Sequence, residues 1–175
     1  MKRIKTPITD EVLVQLSVGD SVLLSGIIYT GRDAAHKRMT DGLATGKPLP
    51  FNSQGSVIYY VGPCPAPPGM VIGSCGPTTT YRMDPFAPTM LEEGLAGAIG
   101  KGSPGEDVIS AIVKRGGVHF SATGGAAALI ASCVIRCDVI AYPDLGTEAV
   151  HRLEVVDMPL IVSVDSRGNS LYTRD

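Results

Sequence analysis

Tryptophan is absent from this chain, aromatic residues make up only 5% of it, and its four cysteines never fall in a Cys-x-x-Cys step. The missing step removes zinc ribbons and ferredoxin-type cluster loops, which need that ligand spacing. Cys64, Cys75, Cys133 and Cys137 are therefore expected as buried, reduced thiols of a cytoplasmic protein, not as metal ligands or disulfides. Cys133 and Cys137 lie one turn apart only if a helix continues through Ile135. No apolar run reaches ~18 residues, so no transmembrane helix is expected. The basic start, Lys2-Arg3-Ile4-Lys5, has no apolar stretch behind it, which argues against a secretory signal. A large charge of one sign is also lacking. The net charge of −2 gives no electrostatic reason for a nucleic-acid or membrane partner.

What remains is compact in character. Hydrophobic residues supply 44% of the 175 positions and charged ones 18%, which fits a single globular domain over 1–175 and not a disordered chain. Glycine (21) and proline (13) are abundant, so many tight turns and close backbone approaches are expected.

The hydrophobic spacing predicts a short helix from Glu11, capped by Thr9-Asp10, then a β-branched strand over 21–30. Asp33 is the natural N-cap of a following helix that begins Ala34-Ala35-His36. Strands are expected over 56–61 and 70–74, separated by a proline-rich connection. A helix over 89–94 leads to a strand over 95–99. The clearest helix runs from Pro104, with Val108, Ile109, Ile112 and Val113 at helical spacing, and stops at Gly116-Gly117. Further strands are expected over 118–122 and 138–142, with an apolar helix over 126–133 opened by Gly124-Gly125. A terminal hairpin joins 160–165 to 170–172. Strands alternate with helices in the middle, and both ends add strands. That pattern indicates an α/β domain with a mixed central sheet, flanking helices and an extra β layer.

The most informative segment is Gly76-Pro77-Thr78-Thr79-Thr80-Tyr81-Arg82-Met83-Asp84. Three adjacent hydroxyls suit an anion-facing turn better than a helix interior. Arg82 can hold a carboxylate or phosphate with two parallel hydrogen bonds. The same residues would also serve as a helix entry, with a capping Thr and a surface Arg. Arg32 and Lys101, like Arg82, follow predicted strands beside glycine or at a helix start, where α/β proteins gather binding groups. Alternatively, each cation compensates a nearby acid such as Asp33, Asp84 or Glu92. The run Gly97-Ala98-Ile99-Gly100-Lys101-Gly102-Ser103 is not a phosphate loop, because Leu95 and Gly102 stand where that motif needs Gly and Ser or Thr.

Several motifs taken together carry a family resemblance. They are Thr30-Gly31-Arg32-Asp33-Ala34-Ala35-His36, Tyr60-Val61-Gly62-Pro63, Gly76-Pro77-Thr78-Thr79 with Arg82-Met83-Asp84, and Gly100-Lys101-Gly102. Gly124-Gly125-Ala126 and Asp144-Leu145-Gly146-Thr147-Glu148 complete the set. Over residues 13–172 the chain resembles the β subunit of class I, iron–sulfur-dependent fumarate hydratases and tartrate dehydratases. That unit is also the C-terminal domain of the single-chain enzymes.

The resemblance implies a swivelling β/β/α domain closing over an active site shared with an α subunit. That subunit would hold a 4Fe–4S cluster, leaving no metal on this chain. It further implies Thr78 as catalytic base, Arg32 and Arg82 as carboxylate clamps, and Lys101 as the stabiliser of developing negative charge. Tyr81 fills a place where a small residue is more usual. His36 is a second candidate for proton transfer, because imidazole titrates near neutrality; its other reading is an orienting group beside Arg32. Asp33, as an N-cap, and Asp84, as a partner to an active-site cation, are expected in supporting roles. His119 is expected to be structural and His151 exposed. The implied reaction is hydration of fumarate to (S)-malate, with tartrate dehydration or non-catalytic dicarboxylate binding as alternatives. The implied assembly is a heterotetramer, with self-association of the isolated chain left open.

Overall fold

The computed structural model describes residues 1–122 and 127–172. Gly124, Gly125 and Ala126, the expected opening of the apolar helix, lie outside the described residues. In chain order the elements are β1 (Lys2–Lys5), α1 (Asp10–Leu13), β2 (Ser21–Thr30), α2 (Asp33–Ala44) and β3 (Val57–Tyr59). A 3₁₀ turn (Thr80–Met83), α3 (Ala87–Glu92), β4 (Gly97–Gly100), α4 (Glu106–Arg115) and β5 (Val118–Ser121) follow. The chain then forms α5 (Ala127–Ser132), β6 (Val134–Ala141), a second 3₁₀ segment (Pro143–Glu148) and β7 (Val150–Val164).

The strands form one sheet in the order β1-β2-β3-β4-β5-β7-β6, and β2 pairs with β7 as well. That extra pairing closes β2, β3, β4, β5 and β7 into a barrel-like ring. Strands β2, β3, β4 and β5 run parallel to one another, while β7 is antiparallel to both β2 and β5. The fold is therefore mixed α/β, and the strands added by the two ends join the same sheet.

Strand β3 shows how the sequence dictates the layers. Val57, Tyr59 and Val61 pack with Ile99, Phe120, Leu153 and Val162 in one core. Ile58 and Tyr60 point the other way, into a second core with Ala35 and Met39 of α2 and Met90 of α3. A period of two with both faces buried gives the continuous apolar run seen in the sequence. Helix α4 seats Val108 and Ile112 against Ala87, Leu91 and Val164, each worth roughly 1.5–3 kcal/mol of burial. Its acids Glu106 and Asp107 lie in the first turn and Lys114 and Arg115 in the last, which complements the helix dipole.

Gly26 lies at the bulge where β2 shifts register against β7. Its φ of 110° and the Thr6 Oγ1 that a Cβ would meet at 2.5 Å both require glycine there.

Several expectations are corrected. Helix α2 begins one residue early, with Arg32 as its N-cap, because the Arg32 carbonyl accepts the His36 N–H at 2.9 Å. Helix α4 is capped by Gly105, so Pro104 precedes it. Residues 70–74 are not a strand. Cys64 N–H donates to Ser74 O (2.9 Å) and Gly73 N–H to Cys64 O (3.1 Å), folding them into a loop. The chain is already in β6 at Val134, so Cys133 and Cys137 do not share a helical turn. All four thiols are free, but only Cys75 is fully buried and Cys64 is exposed. Strand β7 starts at Val150, and the expected terminal hairpin is reduced to a Val164–Ser170 bridge. His151 is 8% exposed, because its position on β7 packs it against Thr30, whose Oγ1 accepts the His151 N–H at 3.0 Å.

Candidate active site

The carboxyl ends of the parallel strands bring the singled-out loops together. Strand β2 ends at Thr30, and Gly31 N–H then bonds to Tyr59 O at the end of β3 (3.0 Å). Beyond β3, Tyr60 N–H donates to Ile99 O on β4 (2.9 Å), while Tyr60 O accepts Thr78 N–H (2.7 Å). Lys101, just past β4, donates its N–H to Thr78 O (3.2 Å) and accepts Thr80 N–H (2.8 Å). Residues 78–80 are thus held as a short parallel extension beside Lys101, with Thr79 and Lys101 forming a β-bridge. Both backbone groups of Thr78 are used, which fixes where its hydroxyl is carried.

The 3₁₀ turn that follows carries Arg82 back towards α2, where its Nη2 donates to Asp33 Oδ2 (2.9 Å). Asp33 is the residue after Arg32, so this bond brings the turn carrying Arg82 beside the start of α2. Arg32 runs past Gly62, where an added Cβ would lie 3.2 Å from its Cδ, and its Nε sits 3.8 Å from Glu148 Oε1. Lys101 is exposed. The structure therefore draws Arg32, Thr78, Arg82 and Lys101 into one linked set of loops. Both arginines also contact acids, but these pairs are partly exposed. The Arg82–Asp33 side chains are 44% and 39% accessible, and such a pair contributes only about 0–1 kcal/mol. Neither pair ties its guanidinium down strongly.

Buried polar atoms without a hydrogen-bond partner concentrate here. Of the five found among the described residues, four belong to this region: Arg32 Nε, Asp33 Oδ1, His36 Nε2 and Asp84 Oδ1. His36 is fully buried, edge-on to Tyr60 (5.4 Å) and stacked near Phe86 (5.8 Å). Its Nδ1–H donates to Arg32 O (2.9 Å), so Nε2 is left as an unused lone pair. Burial lowers its pKa to about 4, against the opposing bond to Arg32. His36 is therefore a neutral imidazole beneath Arg32, not a helix-surface residue. Asp84 accepts Gly105 N–H (2.9 Å), tying the turn to the cap of α4, and desolvation pushes its carboxyl up. Tyr81 is 64% exposed.

Residue-by-residue reading missed Glu148 as a neighbour of Arg32, although the motif around it was visible. It also missed the hydroxyls of Thr80 and Ser163, which flank buried His119. Thr80 stood in the threonine run; nothing in the sequence marked Ser163.

Comparison with known proteins decides the family. A model of the fumarase C-terminus matches residues 2–175. The chain belongs to the fumarase C-terminus family. Relatives include Fumarate hydratase 2 of Leishmania major, 39% identical over 98% of this chain, and the anaerobic class I fumarate hydratase of Escherichia coli, 38% identical over 93%. The chain spans only 31% and 30% of those two proteins. A putative L(+)-tartrate dehydratase subunit beta of Methanocaldococcus jannaschii is 39% identical over 94% of this chain, which covers 88% of that protein. Class I members of this fumarase family are iron–sulfur dependent, yet no three His, Cys, Asp or Glu side chains among the described residues could jointly hold a metal. The donor set of these residues does not fit a cluster. No helix among them is long and apolar enough to cross a membrane.

Two buried imidazoles of this fold predict an acid dependence of stability. His36 and His119 are each held down to about 4 from an ordinary 6.5, chiefly by desolvation. Between those values the unfolded chain binds protons that the folded chain refuses, so unfolding gains. The melting temperature should fall as pH drops from 6.5 towards 4, and His36→Gln should flatten that slope by its share. A pH profile for His36→Gln parallel to wild type would contradict the assignment.

Proposed function

We propose that this chain, as one swivelling β/β/α domain over residues 1–175, is the β subunit of a cytoplasmic hydro-lyase that reversibly hydrates fumarate to (S)-malate. The observation that carries this reading is the linkage of Arg32, Thr78, Arg82 and Lys101 through short bonds at the ends of adjacent parallel strands. The family membership supports it. In this reading the 4Fe–4S cluster belongs to an α subunit, and this chain supplies the carboxylate clamp, the proton acceptor and the cation facing the developing charge.

Dehydrating a 2-hydroxy dicarboxylate requires removing a proton from the carbon beside a carboxylate, which is only weakly acidic. The C–H electron pair moves into that carboxylate, giving a dianionic aci form that survives only among preorganised cations. It then expels the hydroxyl from the neighbouring carbon as hydroxide, leaving the alkene; the proton taken by the base returns through solvent to make that hydroxide water and restore the base. Arg32 and Arg82 grip the two carboxylates, and Lys101 faces the end where charge develops. Thr78 takes the proton. Its hydroxyl is a weak base in water, and the neighbouring cations favour its ionised form. Asp33 and Asp84 hold the arginine and the loop in place. His36 Nε2 is the second candidate for proton transfer.

A tartrate dehydratase is the second reading, favoured by one observation: a relative of which this chain covers 88% is described as a putative L(+)-tartrate dehydratase subunit beta. The test is an anaerobic assay of this chain reconstituted with its α subunit. Turnover of fumarate and malate supports the first reading and turnover of tartrate the second. Dicarboxylate binding without turnover of either would overturn both and leave a binding module.

A further inference from the structure

Beneath the threonine run lies a buried polar chain that the proposed chemistry does not use. Thr80, His119 and Ser163 are 2%, 2% and 0% exposed. Ser163 Oγ–H donates to His119 O (3.1 Å), so its oxygen accepts His119 Nδ1–H (2.7 Å). Nε2 is then the lone pair that receives the Thr80 hydroxyl (3.2 Å). Every donor in the chain has an acceptor, in one consistent direction.

We propose that His119 is a positioning residue for Thr78 and Arg82, acting through Thr80. This inference rests on the hydro-lyase reading above. Thr80 lies two residues after Thr78 and two before Arg82, and it is gripped from two sides. Its N–H is held by Lys101 O (2.8 Å) and its hydroxyl by His119 on β5. A side chain on Gly100 would collide with Thr80 Oγ1, so β4 carries glycine where the hydroxyl passes towards β5. The backbone bond sets the height of the turn on the sheet, and the hydroxyl bond sets its rotation. That rotation determines whether Thr78 and Arg82 address the same ligand. A displacement of about 1 Å at such a site costs on the order of 100-fold in rate.

The test uses variants that cut the chain at different bonds, in the complex with the α subunit. His119→Asn reaches only the Nδ1 position, keeping Ser163 and losing Thr80. His119→Gln reaches the Nε2 position and offers Thr80 an acceptor. With Thr80→Val the bond is lost from the other end, whereas Thr80→Ser retains the hydroxyl. His119→Asn and Thr80→Val should each lower kcat about 10- to 100-fold, and the double variant should be no worse than either. His119→Gln and Thr80→Ser should recover most of the loss. Independent, multiplying effects, or a normal kcat in His119→Asn, would overturn the proposal. If His119→Asn does not fold, Thr80→Val decides alone.

A second readout separates this idea from the function itself. In wild type, ¹⁵N NMR should show His119 Nε2 unprotonated and hydrogen-bonded, and Thr80→Val should shift the amide signals of Thr78 and Arg82. A wild-type complex without turnover refutes the hydro-lyase reading. Unmoved Thr78 and Arg82 amides, or a protonated Nε2, refute the positioning role.

Discussion

Replacing Thr78 with Ala should lower the turnover of the reconstituted enzyme by about 10²–10⁴-fold, the range general base groups contribute. The melting temperature should barely change. Thr78 is only half-buried, and the two bonds that anchor it, to Tyr60 O and from Lys101 N–H, are made by its backbone. Alanine keeps both and removes only the hydroxyl. A loss confined to kcat at constant stability therefore isolates proton transfer. Near-normal rates would move the role to His36, whose Nε2 is buried and without a partner. In that case His36→Gln should abolish the activity that Thr78→Ala spared.

Arg82→Lys should raise the KM for the dicarboxylate about 10- to 100-fold, with melting again little affected. A hydrogen bond to a charged group is worth about 1.5–3 kcal/mol, and an ammonium cannot reproduce the two-pronged guanidinium geometry. The partly exposed pair with Asp33 (2.9 Å) contributes too little to destabilise the fold when it is weakened. An unchanged KM would mean that Arg82 serves Asp33 and not a ligand.

The elements that were legible in the sequence are those whose burial follows a single period. β2 spans the expected 21–30 because Val22, Leu24 and Ile28 along it are buried in the core. α4 appears where the Val108–Ile112 spacing and the left-handed Gly116 put it. β7 was read only in its second half. His151, Arg152, Glu154 and Asp157 interrupt its apolar pattern, and Pro159, which cannot donate to the ladder, sits opposite Leu23 inside it. Ring closure through β2 and β7 was likewise hidden, since it pairs segments far apart in the chain. At the candidate site, residue type and position after a strand marked Arg32, Arg82 and Lys101. Which acid each would meet depends on tertiary placement: Asp33, expected as a cap, bonds Arg82 through its carboxylate, while Asp84, expected beside a cation, accepts Gly105 N–H instead. The orphaned Nε2 of His36 could not be foreseen either, because it follows from where Tyr60 and Phe86 close over the ring.

The most direct measurement is a crystal structure of the complete enzyme with a non-reacting dicarboxylate bound. One carboxylate should be held two-pronged by Arg82, displacing Asp33, with Arg32 and Lys101 on the ligand and the Thr78 hydroxyl facing its reacting carbon. A dicarboxylate bound away from these four residues, with the Arg82–Asp33 pair intact, would refute the shared cationic site.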